Sequence, residues 1–395
     1  MNSPHSTLLS ARQAAARLGV KLDTLYAYVS RGRLRSVVIP GTRERRYRVQ
    51  DIEALVNLRS GATPLQHPDP EALMPVIGSS LCLIEGGHLY YRGKDAVRLS
   101  DWATLEDIAS LLWLDESVTQ SGAPTRPSRP ATEMGLIQRC QSRLAALGDE
   151  DLPEFELTWP RVARTGRRIL RELVDCVAST LPSREATHRR LAAAWKLREP
   201  EADLLRRCLV LIADHELNPS TFVARCVAST GATPYAVVSA AISALSGRRH
   251  GGETARAEGL LCELLEEGDP MAVMAGRLAR GERLPGFGHP LYPGGDPRAA
   301  AILAALAQAL PETCALAQTA AGIGFRLTGR QPNVDFALAA VATGLGLPRT
   351  AGLGLFIIGR TVGWIAHAIE QYESEILIRP RARYLGPRPE SDDSG

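Results

Sequence analysis

The sequence predicts a mainly α protein: a nearly all-helical body behind a small basic N-terminal module. Three observations point there. From Glu133 to Ile242, Ala- and Leu-rich segments repeat their apolar residues with a period near 3.6. Outside the N-terminal module, only the stretch from Ser80 to Gly93 is β-prone. Charge is unevenly shared: residues 1–60 hold 11 Lys+Arg against 4 Asp+Glu, and the remainder holds 35 against 39. The chain has 395 residues and 45% hydrophobic content, enough for a large core in two or three folding units. A net charge of only +3 argues against a nucleic-acid role for the whole chain and confines that possibility to the first 60 residues.

Ser10-Ala11-Arg12-Gln13 has capping-box form, and Ala14, Ala15 and Leu18 follow at helical spacing. Gly19 breaks the pattern. A second segment carries Leu22, Leu25, Tyr26 and Val29 and stops at Gly32. Two short helices joined through Gly19-Val20 form a helix-turn-helix. Val37-Val38-Ile39 and Tyr47-Arg48-Val49 are β-prone around a Pro40-Gly41-Thr42 turn, a small wing, and Asp51 is placed to cap a closing helix. The stretch resembles the winged helix-turn-helix of the MerR/excisionase type. That resemblance implies Lys21, Thr24, Tyr28 and Arg31 in a major groove and Arg43, Arg45 and Arg46 on phosphate. Protein docking is the alternative for the same basic face. Residues 61–75, with Gly61, Pro64, Pro68, Pro70 and Pro75, are expected to be a linker.

In the body, Ser80–Gly93 is expected to be a short strand pair, and Ala103–Leu112 to begin the helices. Ser121–Thr132, rich in Pro, Ser and Gly, is expected to be a surface loop. Leu136–Leu147, Arg161–Leu181, His188–Leu197 and Ala202–Ala213 are the next helix candidates. Four breaks then carry polar groups: Asp214-His215-Glu216-Leu217-Asn218, Arg249-His250-Gly251-Gly252, Gly286-Phe287-Gly288-His289 and Asn333-Val334-Asp335-Phe336. Breaks between rigid helices are where chemistry is commonly displayed. Each also has a plain structural reading: His215 as the cap of a buried helix, His250 in an exposed turn, Asp335 as a helix cap. Arg360, in Gly359-Arg360-Thr361, and Arg379, in Arg379-Pro380-Arg381, add cations further on.

In this order, over roughly Val76 to Tyr384, these pieces resemble the citrate synthase family. The resemblance implies a two-domain, all-helical body over residues 76–384, with a small subdomain near 252–346 that closes over the ligands. It implies condensation of acetyl-CoA with oxaloacetate. Asp335 would be the base, with His250 and His289 as hydrogen-bond donors or acids. Oxaloacetate would be held by His215, Arg298, Arg360 and Arg379, the last reaching a neighbouring subunit's site, so the active unit is at least a homodimer. Ser220 would hydrogen-bond His250. Acetyl-CoA is a co-substrate, and neither a permanently bound cofactor nor a metal is expected. A 2-methylcitrate synthase using propionyl-CoA, and a DNA-binding regulator whose body senses a metabolite, are the alternatives.

Three departures from the commonest family pattern stand out. Pro290-Leu291-Tyr292-Pro293 follows His289 where Arg or Lys is frequent, which leaves Arg283 as a candidate for a CoA phosphate. Arg248-Arg249 precedes His250 where Pro-Leu is usual. Glu253-Thr254 replaces Ala-Asn.

Seven cysteines without a CxxC pair predict buried thiols in a reducing compartment. No leader of charged-then-apolar form is evident, and no apolar run is expected to reach membrane-spanning length, with Ala337–Ile358 coming nearest. A cytoplasmic location follows as the expectation, and residues 385–395 are expected to be a mobile tail.

Overall fold

The computed structural model describes residues 8–30, 34, 36–38, 45–49, 52, 77–115, 134–151, 155–178, 183–382 and 386. The expected linker, the Ser121–Thr132 loop, the tip of the wing, most of the closing helix, and all of the expected tail except Gly386 lie outside them. Two units are described separately, within Met1–Val76 and Ile77–Gly395.

In the first unit the expected capping box is formed. Ser10 Oγ accepts from the Gln13 amide and Gln13 Oε1 accepts from the Ser10 amide, starting α1 (Ala11–Leu18). Gly19, at φ 63°, ends α1 in the left-handed region, and α2 (Leu22–Ser30) follows. Ala14, Ala15, Leu18, Leu25, Leu34, Tyr47 and Ile52 form the module's core. One strand was not foreseen. β1 (Leu8–Ser10) pairs antiparallel with β3 (Arg45–Arg48), whose other edge takes β2 (Val37–Val38). Three residues with only two apolar side chains are too short to show a period of two.

The second unit opens with a small antiparallel sheet, β4 (Cys82–Glu85), β5 (His88–Tyr91) and β6 (Lys94–Asp95). Its register pairs Cys82 with Tyr91 and Glu85 with His88. The buried Tyr91 hydroxyl donates to Val210 C=O (3.0 Å) and accepts from the Asp214 amide (3.4 Å). The sheet therefore fixes the chain segment that leads into His215. α3 (Ala96–Leu99) and α4 (Leu105–Trp113) follow; Thr104 and Asp107 make a second capping box on α4.

The expected helices appear with shifted ends: α5 (Leu136–Glu150), α6 (Trp159–Ala178), α7 (Thr187–Ala194) and α8 (Glu199–Leu211). The remainder is α9 (Pro219–Ala228), α10 (Pro234–Leu245), α11 (Gly252–Glu267), α12 (Pro270–Ala279), α13 (Pro297–Ala309), α14 (Pro311–Thr328), α15 (Val334–Gly344) and α16 (Ala351–Ser374).

α16 is the axis of the body, packed against α4, α6, α8, α9 and α10. It corrects the expectation about apolar runs. The stretch 337–358 is not one helix, because α15 ends at Gly344 and α16 starts at Ala351. α16 itself is long and apolar enough to cross a membrane, but 94% of its apolar window is buried in the body, as expected of a core helix. Its approach to the end of α8 depends on Gly363. The Gly363 amide bonds Ala213 C=O at 3.0 Å, and a Cβ there would lie 2.5 Å from that same oxygen.

Gly363→Ala should therefore destabilise the body by about 1–3 kcal/mol. Gly322→Ala, in α14 with open space at its Cβ position, should be neutral or mildly stabilising. Urea denaturation read by tryptophan fluorescence separates the two; equal midpoints would refute this packing account.

Candidate active site

Two of the polar breaks are set by an asparagine cap that leaves the key side chain free. Asn218 Oδ1 accepts from the Ser220 and Thr221 amides and caps α9, so the preceding His215 is not spent as a cap. His215 is 5% exposed, and its Nε2 lies 3.0 Å from the Tyr292 hydroxyl. Asn333 does the same for α15, with Oδ1 accepting from the Asp335 and Phe336 amides. The Asp335 carboxylate thereby escapes capping and instead accepts from Thr254 Oγ1 at 2.5 Å. His250 is half-buried, with Nε2 2.8 Å from Ser220 Oγ, the expected partner.

The Gly286–His289 loop is laced to the start of α15. Gly288 N–H donates to Gln331 C=O (2.8 Å), Asn333 N–H to Gly286 C=O (2.8 Å), and Asn333 Nδ2 to Gly288 C=O (3.0 Å). Gly286 sits at φ 81°, and a Cβ there would lie 2.7 Å from Phe336 Cβ, so the close approach requires glycine. The unusual Glu253-Thr254 pair has a local role. Glu253 Oε1 accepts from the Gly286 amide at 3.1 Å, and Thr254 holds Asp335. Both tie the start of α11 to the loops opposite.

Two imidazoles meet directly, and His250 is near enough to act electrostatically on His215. The rings of His215 and His289 meet edge to face at 5.1 Å, and Tyr292 lies tilted 5.0 Å from His289. Phe356 lies between His250 (5.8 Å) and the Arg360 guanidinium (5.0 Å). Burial, then the charges of Arg298 and Arg360, hold His215 well below the usual imidazole range. Burial and Arg360 push His250 down to about 4, and burial with Arg298 does the same for His289. All three are therefore neutral at pH 7. Leu291 N–H donates to His289 Nδ1 at 3.2 Å, which leaves the ring proton on Nε2. Burial pushes Asp335 up to about 6; Thr254 and Arg298 pull it down, and Glu253 and Asp296 push it up.

The cations differ sharply. Arg298, 2% exposed, is already paired with Asp296 through two bonds (3.0 and 2.8 Å) and covers the Tyr292 ring. Arg360, 1% exposed, donates through Nε to Ile212 C=O at 2.8 Å. Its Nη1 is buried without a hydrogen-bond partner, and no carboxylate among the described residues pairs with it. Burial draws its pKa below the usual value, with Asp214 opposing. Arg379 is exposed on the segment after α16 and bonds to none of these residues. A cleft of ≈ 370 Å³ opens beside His289, with Arg283 and Arg330 on its wall.

Sequence reading missed Tyr292, Asp296 and Trp364, whose Nε1 donates to Ser220 Oγ at 3.2 Å. It also missed the buried chain in which Arg225 donates to His367 Nδ1 and His367 Nε2 lies 3.3 Å from Asp214 Oδ2. In the N-terminal module Lys21 and Arg45 are exposed, and Thr24, Tyr28 and Arg46 are half-buried. Tyr28 packs against the module's own core. Arg31 and Arg43 lie outside the described residues.

Fold and site together define a helical protein with neutral imidazoles, a partly buried carboxylate at Asp335 whose pKa is raised, and a buried cation with no ion pair among the described residues. The family model of the citrate synthase C-terminal domain matches residues 172–381, and that of a helix-turn-helix domain matches residues 8–59. The citrate synthase of Haloferax volcanii is 31% identical over 366 residues, covering 79% of this chain and 94% of that protein. Citrate synthase 2 of Bacillus subtilis is 36% identical over 192 residues, 47% of this chain. The chain spans about half the length of that relative, and likewise of mycobacterial relatives that are 42% identical over 193 residues. A solved ternary complex of citrate synthase from Thermoplasma acidophilum with carboxymethyl coenzyme A and oxaloacetate superposes with a TM-score of 0.66 at 25% identity. It covers 80% of this chain and 95% of that one. The chain belongs to the citrate synthase family and carries a helix-turn-helix domain at its N-terminus.

Proposed function

We propose that the body condenses acetyl-CoA with oxaloacetate to give citrate and CoA. The observation that carries this is Arg360: a buried guanidinium whose Nη1 has no hydrogen-bond partner and which pairs with no carboxylate among the described residues, Asp214 acting on it only at a distance, suits a substrate carboxylate. His215 and Arg298 would complete the dianion site. Arg379, exposed on its segment, would complete a partner subunit's site in a homodimer.

Asp335 removes a proton from the acetyl methyl group. His250 steadies the enol oxygen through Nδ1–H, provided Ser220 turns its hydroxyl proton toward Nε2. Trp364, donating to the same oxygen, leaves that proton to be given to His250 or Asn218. The enol carbon attacks the ketone carbon, and His289 Nε2–H gives its proton to the ketone oxygen. Water then cleaves the citryl thioester. Arg283 and Arg330 flank the cleft beside His289 and suit CoA phosphates. The free cysteines, four of them buried, suit a cytoplasmic, reducing setting.

Thiol release with acetyl-CoA and oxaloacetate tests the reading. Asp335→Ala should lose about 10²–10⁴-fold in kcat. A base that must be ionised, with its carboxyl at about 6, gives kcat/KM falling as pH drops through about 6. The imidazoles are already neutral there. Thr254→Val removes a bond that favours the carboxylate, so that limb should move to higher pH. No turnover above the Asp335→Ala control rejects the proposal. Propionyl-CoA run beside acetyl-CoA decides the acyl preference.

The net positive charge of residues 1–60 and the helix-turn-helix match support a second role, DNA binding by the first unit, with Arg12, Arg17, Lys21 and Arg45 its exposed described cations. Gel shifts of the full chain should show binding that weakens steeply with salt. No shift at low ionic strength excludes it.

A further inference from the structure

Tyr292 contacts three residues that the proposed reaction uses, and that reaction gives it no role. It stands between Leu291 and Pro293 in the loop after His289. Its amide donates to His289 C=O at 3.1 Å, and its carbonyl accepts from the Gly295 amide at 3.0 Å. Leu291 is exposed, whereas Tyr292 is buried, with only 2% of its surface open. Its ring centroid lies 5.0 Å from that of His289 and 5.6 Å from the Arg298 guanidinium carbon. Its hydroxyl lies 3.0 Å from His215 Nε2. Residues from two distant breaks of the chain thus meet on one phenol.

That contact decides where His215 carries its proton. A neutral imidazole has one N–H and one acceptor nitrogen. Neither the Tyr292 hydroxyl nor the His215 ring makes another hydrogen bond among the described residues. If Nε2 donated to the phenol oxygen, the phenol proton would lack an acceptor and the Nδ1 lone pair would lack a donor. If the phenol donates to Nε2, only Nδ1–H is left unmatched. Buried polar groups without partners cost stability, so the second arrangement is the favoured one. Burial pushes the phenol up from its ordinary value, so it keeps its proton at neutral pH. Leu291 N–H already fixes the proton of His289 on Nε2, so one short loop sets both rings. The unmatched donor of His215 belongs to a ring on which Arg298 and Arg360 both act, in surroundings that favour an anion.

We propose that Tyr292 is a positioning residue for oxaloacetate: its hydroxyl donates to His215 Nε2 and leaves Nδ1–H as the donor for a substrate carboxylate. The substrate in this statement rests on the proposed condensation, whereas the position of the proton does not.

Nitrogen NMR of the full chain with labelled histidine, at neutral pH and without substrate, reads the tautomer directly. The signals of His215 are those lost in His215→Gln. The parent protein should show a protonated-type shift at Nδ1 and an unprotonated-type shift at Nε2. Tyr292→Phe keeps the ring beside Arg298 and removes only the hydroxyl, so the two forms should mix and the two shifts draw together. A proton on Nε2 in the parent, or unchanged shifts in Tyr292→Phe, would overturn the proposal. Steady-state assays give the second readout. Tyr292→Phe should raise KM for oxaloacetate about tenfold, with KM for acetyl-CoA and the thermal midpoint unchanged. An unchanged KM for oxaloacetate, or a fall in midpoint with both KM values disturbed alike, would also overturn it. A parent protein without turnover rejects the condensation, and the tautomer result then decides this proposal by itself.

Discussion

The site depends on a buried cation that forms no ion pair among the described residues, with Asp214 acting on it only at a distance. Arg360 is held in the middle of α16, its Nε on Ile212 C=O and its face on Phe356, with Nη1 left unpaired. Desolvating a guanidinium costs several kcal/mol unless an anion compensates. Arg298 shows the alternative, since its charge is cancelled by Asp296 two residues away. The contrast separates a structural ion pair from the cation proposed to meet a substrate carboxylate. Burial, with this positive charge added to it, keeps His215 and His250 neutral, which suits imidazoles that donate rather than receive protons.

The rest of the body serves to hold that cation next to the polar breaks. Gly363 brings α16 against Ala213 and Asp214, and Tyr91 from the opening sheet grips the same segment from the other side. His215 follows directly. The loop before His289 is bonded to residues 331–333, so it moves with the start of α15 and with Asp335. Thr254 and Glu253, both departures from the usual pattern, link α11 to these two elements. Residues far apart in sequence thus depend on a few backbone bonds.

Much of this was legible in the sequence because glycine, asparagine and proline punctuate it. Asn218 and Asn333 cap helices, Gly251-Gly252 and Gly286 permit close turns, and the charged groups stand beside them. Helical periodicity foretold the body, and the Ser10 capping box foretold α1. Tyr292 was not legible: an aromatic in a proline-rich loop carries no sign of the histidine it will bond. Asp296 was not singled out, although it cancels the charge of Arg298. Residues 337–358 were read as the nearest approach to a membrane-length run; the turn at 345–350 divides them, and the long apolar helix is Ala351–Ser374. The strand Leu8–Ser10 was hidden by its length and exists through its partner β3.

The central claim is that Arg360 waits for a substrate carboxylate. Calorimetric titration of oxaloacetate into the full chain and into Arg360→Met tests it most directly, because methionine keeps the apolar stem and removes the charge. The account predicts binding to the parent protein and a loss of about 10–100-fold in the variant. Equal affinities in the two proteins would contradict it.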